Sequence, residues 1–96
     1  MTLDVVLRPE AQDEIREAFE WYETSVPGLG DRFLAELDNV FLLVAKNAAL
    51  FPSAFGFRRA VVRRFPYCVY FRESDGKAIV VAVFHGRRNP TRLPRP

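Results

Sequence analysis

The sequence predicts an α+β domain with element order β-α-α-β-β-β, a helical hairpin packed on one face of a mainly antiparallel sheet. Three observations predict it. Apolar residues recur at helical spacing between Ala11 and Val44, interrupted only by Pro27-Gly28-Leu29-Gly30. Beyond Gly56 the pattern changes to that of strands. Ser74-Asp75-Gly76-Lys77 then places an Asp-Gly hairpin turn between two apolar runs. A chain of 96 residues fits a single domain, 1–96, with 91–96 expected as a loose tail.

The first strand is expected over Leu3 to Leu7, where Val5 and Val6 favour extended backbone. Arg8-Pro9 ends it, and proline suits a first helical position. The first helix aligns Ala11, Ile15, Ala18, Phe19, Tyr22 and Val26, with Glu10, Asp13, Glu14, Glu17 and Glu20 on the other face. Asp31 is expected to cap the second helix, whose stripe is Phe33, Leu37, Val40, Phe41 and Val44. Ala48 to Gly56 reads as a connection. Strands are expected over Phe57 to Phe65, Tyr67 to Glu73 and Ala78 to His85, the last two central because they are apolar on both faces. Cys68 reads as a buried small hydrophobe, and Tyr67 and Tyr70 as sheet-packing residues. Pro66 reads as a turn, and Gly86 as a point needing backbone freedom.

No apolar run is long enough to cross a bilayer, and Met-Thr-Leu-Asp lacks the basic start of a signal peptide. A cytoplasmic protein is therefore expected, with no metal or cofactor, since one cysteine and one histidine offer little for a metal site. The net charge of +2 conceals a gradient. Residues 1–48 carry ten acids against four bases, whereas residues 49–96 carry ten bases against two acids. Nine of those ten bases are arginine, the residue suited to bidentate pairing with phosphate or carboxylate. The gradient points to an anionic partner for the second half, unless the acidic helices neutralise the basic strands internally. Arg58, Arg59, Arg63 and Arg64 lie on an alternating strand and cannot all point one way, so some should line the face opposite the helices. The binding site is expected on that face, with Arg59, Arg63, Arg64, Arg87 and Arg88 as anion-binding candidates.

Four separated segments, E-A-F-E-W-Y-E at Glu17 to Glu23, P-G-L-G-D-R-F at Pro27 to Phe33, R-R-F-P-Y-C-V-Y-F at Arg63 to Phe71 and V-F-H-G-R-R-N-P at Val83 to Pro90, together resemble the RelE/ParE superfamily of bacterial toxins. The resemblance implies the toxin of a type II toxin–antitoxin pair, neutralised by a cognate antitoxin. One branch of the superfamily poisons DNA gyrase; the other cuts mRNA on the ribosome. Metal-free RNA cleavage needs a base, an acid and cations for the developing phosphorane charge. His85, Arg63, Arg64 and Arg87 are the candidates for such chemistry, but no second proton carrier follows His85 in the chain. The segments look closer to the ParE branch, so gyrase is the expected target, with ribosome-bound mRNA as the alternative. A non-toxic nucleic-acid-binding module is a further alternative. A ParD-like antitoxin with an acidic or amphipathic segment is the expected partner, docking on Leu34, Leu42 and Leu43, which lie off the main stripe of the second helix, and on Arg58 and Arg72.

Overall fold

The hairpin of two helices sets the architecture. In the computed structural model, which describes residues 2–94, helix α1 spans Pro9–Ser25 and helix α2 spans Leu29–Asn47. Pro9 opens α1, and no side chain caps its N-terminus. The entry to α2 is different from the expected Asp31 cap. Gly28 is the N-cap residue, at φ +88°, and Asp31 lies in the first turn of the helix. The capping group comes from α1: Glu23 accepts from the Gly28 N–H through Oε2 at 2.9 Å and from the Gly30 N–H through Oε1 at 3.0 Å. One carboxylate thus satisfies two backbone donors at the positive end of the second helix. Gly30 also lets the helices meet, because a Cβ there would stand 2.8 Å from the Phe19 ring and 2.9 Å from Glu23 Oε1.

Five strands follow the order β1-β5-β4-β3-β2. They are β1 Asp4–Leu7, β2 Ser53–Ala54, β3 Phe57–Val61, β4 Tyr67–Ser74 and β5 Lys77–His85. β1 runs parallel to β5, and the other pairs are antiparallel. The two long apolar strands β4 and β5 are interior, as their sequence predicts. Strand β2 arises inside the expected connection, joined to β3 by Phe55-Gly56, both at positive φ (56° and 86°). Asp75-Gly76, at 51° and 74°, makes the expected turn between β4 and β5.

Strand β3 is shorter than the expected Phe57 to Phe65. Val62 N–H donates to Tyr67 O at 2.9 Å, closing a loop over Arg63, Arg64, Phe65 and Pro66 in which Arg64 adopts φ +70°. The left-handed turn at Arg64 takes the chain out of the ladder and stops the strand early.

The helices bury Phe33, Leu37, Val40 and Val44 of α2, and Ala11 and Ala18 of α1, against Val62, Val69, Phe71, Val80 and Val83 of the sheet side. Each fully buried Phe, Leu or Val contributes about 1.5–3 kcal/mol, so this layer dominates the stability. The expected α1 stripe ends before Val26, which is 54% exposed. The opposite face of the sheet carries Arg59, paired with Tyr70, but is covered by an apolar cluster rather than open as expected. Phe57, Cys68, Tyr70, Val81, Ala82 and Phe84 form a second buried cluster there, with Leu93 packed against it. In the register of β4 against β5, Val81 has no opposing residue, and this bulge turns both Val81 and Ala82 into the cluster. The C-terminal segment forms a 3-10 turn over Pro90–Arg92 before Leu93 packs, where a loose tail was expected; residues 95–96 of that expected tail lie outside the described residues.

Replacing Glu23 by Ala should lower stability by about 1–2 kcal/mol through the lost cap. Gly30→Ala should cost about 1–3 kcal/mol through overpacking against Phe19. Denaturant midpoints of the two variants check both values.

Candidate interaction surface

The β3–β4 loop and the end of β5 are neighbours. Tyr67 pairs with His85 across the ladder, and the Gly86 N–H donates to Pro66 O at 2.8 Å. This register brings Arg63 and Arg64 to the same end of the sheet as Arg87 and Arg88, although more than twenty residues separate them in sequence. Gly86 makes the approach with ordinary backbone freedom. Its φ is not in the left-handed region, and a Cβ there would meet Cys68 Sγ at 3.6 Å and Pro66 O at 3.7 Å, both normal contacts.

The adjacent pair Arg87-Arg88 is split by the fold. Arg88 turns back to Glu14 of α1 (Nη1 to Oε2, 3.4 Å) and lies over the Phe84 ring, 5.6 Å from its centroid. Arg87 is exposed and has no carboxylate within 4.0 Å among the described residues. The same holds for Arg63 and Arg64. Three guanidinium groups at one end of the sheet therefore lack an internal counter-charge, whereas Arg88 has one. Internal neutralisation is partial.

His85 is held by its own turn. The Arg87 N–H donates to His85 Nδ1 at 3.1 Å, which makes that nitrogen an acceptor and leaves Nε2 as the other ring position. The ring packs edge-on to Tyr67 with centroids 5.8 Å apart. Tyr67 in turn contacts Tyr22 and Phe33, and burial pushes its phenol above the usual tyrosine range. Both side chains thus carry structural contacts. Tyr70 and Cys68 are buried on the second face, and burial raises the Cys68 thiol as well.

The remaining candidates divide by environment. Arg58 is engaged internally: Nη1 donates to Phe51 O at 2.8 Å and Ala49 O at 3.3 Å, and Nε lies 3.7 Å from Glu73. It fastens the segment after α2 to β3. Arg59 is half-buried opposite Tyr70, and Arg72 is exposed opposite Ile79. Leu34 is half-buried and packs against the main core. Leu42 and Leu43 stand 59% and 53% exposed on α2, and Trp21 is 69% exposed on α1.

Glu14 is an acid that sequence pattern alone reads as part of a solvated face, and the structure gives it interior contacts. It accepts from the Val83 N–H at 2.9 Å through Oε1 while Oε2 meets Arg88. It joins α1, the bulged end of β5 and the C-terminal turn. Desolvation lifts its carboxyl above the usual carboxylate range, outweighing the lowering influence of the Val83 N–H and Arg88. No signal in the local sequence marks this role, since the partner residues are about seventy positions away. Among the described residues no helix is long and apolar enough to cross a membrane.

The sequence profile described as ParE toxin of type II toxin-antitoxin system, parDE, matches residues 5–90. Toxin ParE2 of Mycobacterium tuberculosis, strains CDC 1551 / Oshkosh and ATCC 25618 / H37Rv, is 32% identical over 96 residues, covering 94% of this chain and 88% of the relative. A solved structure described as the chromosomal ParDE TA system from P. aeruginosa shares the fold. Its TM-score is 0.76 at 13% identity, over 88% of this chain and 96% of that one.

Glu14 gives this geometry a pH signature. Its folded-state pKa lies above the unfolded value, so the folded protein holds more protons in the window between the two. The Glu14 contribution to stability is therefore full below that window and declines as pH rises through it. Glu14→Gln should remove that decline, leaving the melting temperature flatter through the window in a pH series.

Proposed function

We propose that this chain, which belongs to the ParE toxin family of type II toxin–antitoxin systems, arrests bacterial growth by acting on DNA gyrase and is held inactive by a ParD-like antitoxin. The observation that supports this reading is the group of uncompensated guanidinium groups, Arg63, Arg64 and Arg87, gathered at one end of the sheet. Arginine side chains in such a group give strong anchors for a protein surface or for a gyrase–DNA complex. Action on gyrase places the working protein in the cytoplasm.

The arrangement of hydrogen bonds favours a non-catalytic role. His85 Nδ1 is engaged by its own turn, Tyr67 is packed among aromatic rings, and both oxygens of Glu14 have partners. RNA cleavage needs an acid and a base free to exchange protons with the 2′-hydroxyl and the leaving oxygen; His85 keeps Nε2 for one such role, whereas Tyr67 and Glu14 are committed to packing and positioning. The exposed Leu42 and Leu43 suit the apolar face of an antitoxin helix, and Arg72 suits its acidic residues. Arg58 stays in that set as a lesser contributor, since its Nη1 already donates to the Ala49 and Phe51 carbonyls.

Controlled expression in bacteria should arrest growth with a DNA-damage response, and co-expression of the neighbouring antitoxin gene should relieve it. Arg63→Ala and Arg87→Ala should each weaken inhibition of purified gyrase by about tenfold, equivalent to about 1.4 kcal/mol. Bound antitoxin at 100-fold over its Kd should stabilise the toxin by about 2.7 kcal/mol. Cleavage of ribosome-bound mRNA with supercoiling intact would move the protein to the ribonuclease branch. Salt-dependent binding of arbitrary nucleic acid with normal growth would identify a binding module instead.

A further inference from the structure

Arg64 occupies the left-handed region at φ +70°, in the loop between β3 and β4. A turn with that backbone is best served by glycine or asparagine, which adopt it at little cost. An arginine there accepts backbone strain of a kind that persists where the side chain has a use. The side chain lines a cleft of about 630 Å³ between the first half of α2 and the β3–β4 loop. Arg32 of α2 shares the lining, together with the aromatic side chains of Tyr22 and Phe65 and the ring of Pro66. Neither Arg32 nor Arg64 has a carboxylate within 4.0 Å among the described residues. Glu36 is the single acid on the lining.

We propose that this cleft is a binding site for a small aromatic anion of mononucleotide size. The volume falls within the range of small-molecule sites. Two guanidinium groups suit one phosphate, with planar donor forks that match its oxygens. The aromatic and proline lining suits a flat heterocycle. Glu36 selects further: its carboxylate accepts from a ring amino group and repels a second phosphate. The ligand class is therefore a monophosphate carrying an amino-bearing base. This inference stands on the cleft and the Arg64 backbone, and does not depend on gyrase being the target of the toxin.

The test uses the full chain and AMP as the probe, followed by amide chemical shifts and calorimetry. AMP is expected to shift the amides of Tyr22, Leu29, Arg32, Arg64 and Phe65. Inorganic phosphate, adenosine and IMP should each bind at least tenfold more weakly. Arg64→Gly removes the guanidinium while relaxing the backbone, so it should keep or raise the melting temperature and lose at least tenfold in AMP affinity. Arg16→Gln, an equal loss of charge on the exposed side of α1, should bind AMP as the parent does. Equal binding by Arg64→Gly and the parent overturns the proposal. So does a shift pattern spread over Arg87 and Arg88 without the cleft residues, and so does the absence of AMP binding.

Discussion

One carboxylate sets how the two helices meet. Glu23, near the end of α1, accepts from the N–H groups of both Gly28 and Gly30 and so fixes where α2 begins and how closely it lies against α1. Without it, two donors at the start of α2 would turn to water and the three-residue connection would lose its orientation. The consequences extend to the sheet. Phe33 is the fifth residue of α2, and its ring packs with Tyr22, Phe65 and Tyr67, so the entry point of the helix sets the contacts of the β3–β4 loop and of β4. Tyr67 then carries the contact to His85 at the end of β5. A chain of aromatic contacts therefore connects the helix cap to the cationic end of the sheet, and the geometry of the latter is inherited from the former.

This explains why the helices and their order were legible while the details of the site were not. Periodicity reports which face of a helix is buried, and Phe33, Leu37, Val40 and Val44 are buried as their spacing requires. The Asp-Gly turn and the central placement of β4 and β5 follow from equally local signals. The cap does not. Glu23 lies seven residues before Gly30, outside the familiar spacing of a capping box, and reads as one more acid on a polar helix. Strand β3 ends early because of the left-handed turn at Arg64, and an arginine gives no warning of positive φ. Strand β2 rests on the Phe55-Gly56 turn, of which only the glycine was suggestive. The covering of the second sheet face was hidden for another reason. It takes a β-bulge at Val81 and a contact from Leu93, and neither follows from the alternation of the strands themselves.

The charge pattern also changes meaning once it is folded. In sequence, acids and bases form two blocks, and a simple expectation is that the blocks either cancel or do not. The structure does both, position by position. Arg58 and Arg88 are drawn inward by Glu73, Glu14 and backbone carbonyls, and each fastens a segment that has little core of its own. Exposed ion pairs of this kind contribute at most about 1 kcal/mol, so their chief effect is to position the segment. Arg63, Arg64 and Arg87 have no such partner among the described residues, and they lie in the β3–β4 loop and just beyond the β5 terminus.

Adjacent like charges repel, and the split of Arg87 from Arg88 shows how the chain limits that cost. Arg88 is neutralised by Glu14, a carboxylate whose own ionisation is opposed by burial. The cation and the acid are therefore mutually dependent: Arg88 lowers the cost of an ionised Glu14, and Glu14 holds Arg88 away from Arg87. Because Oε1 of the same carboxylate accepts from Val83 N–H, this pairing also ties α1 to the bulged strand. What remains at the surface is a smaller set of arginines than the sequence suggests, but one whose position is fixed. An anion arriving there meets guanidinium groups that no carboxylate engages among the described residues, so ordering those exposed side chains offsets part of its binding free energy.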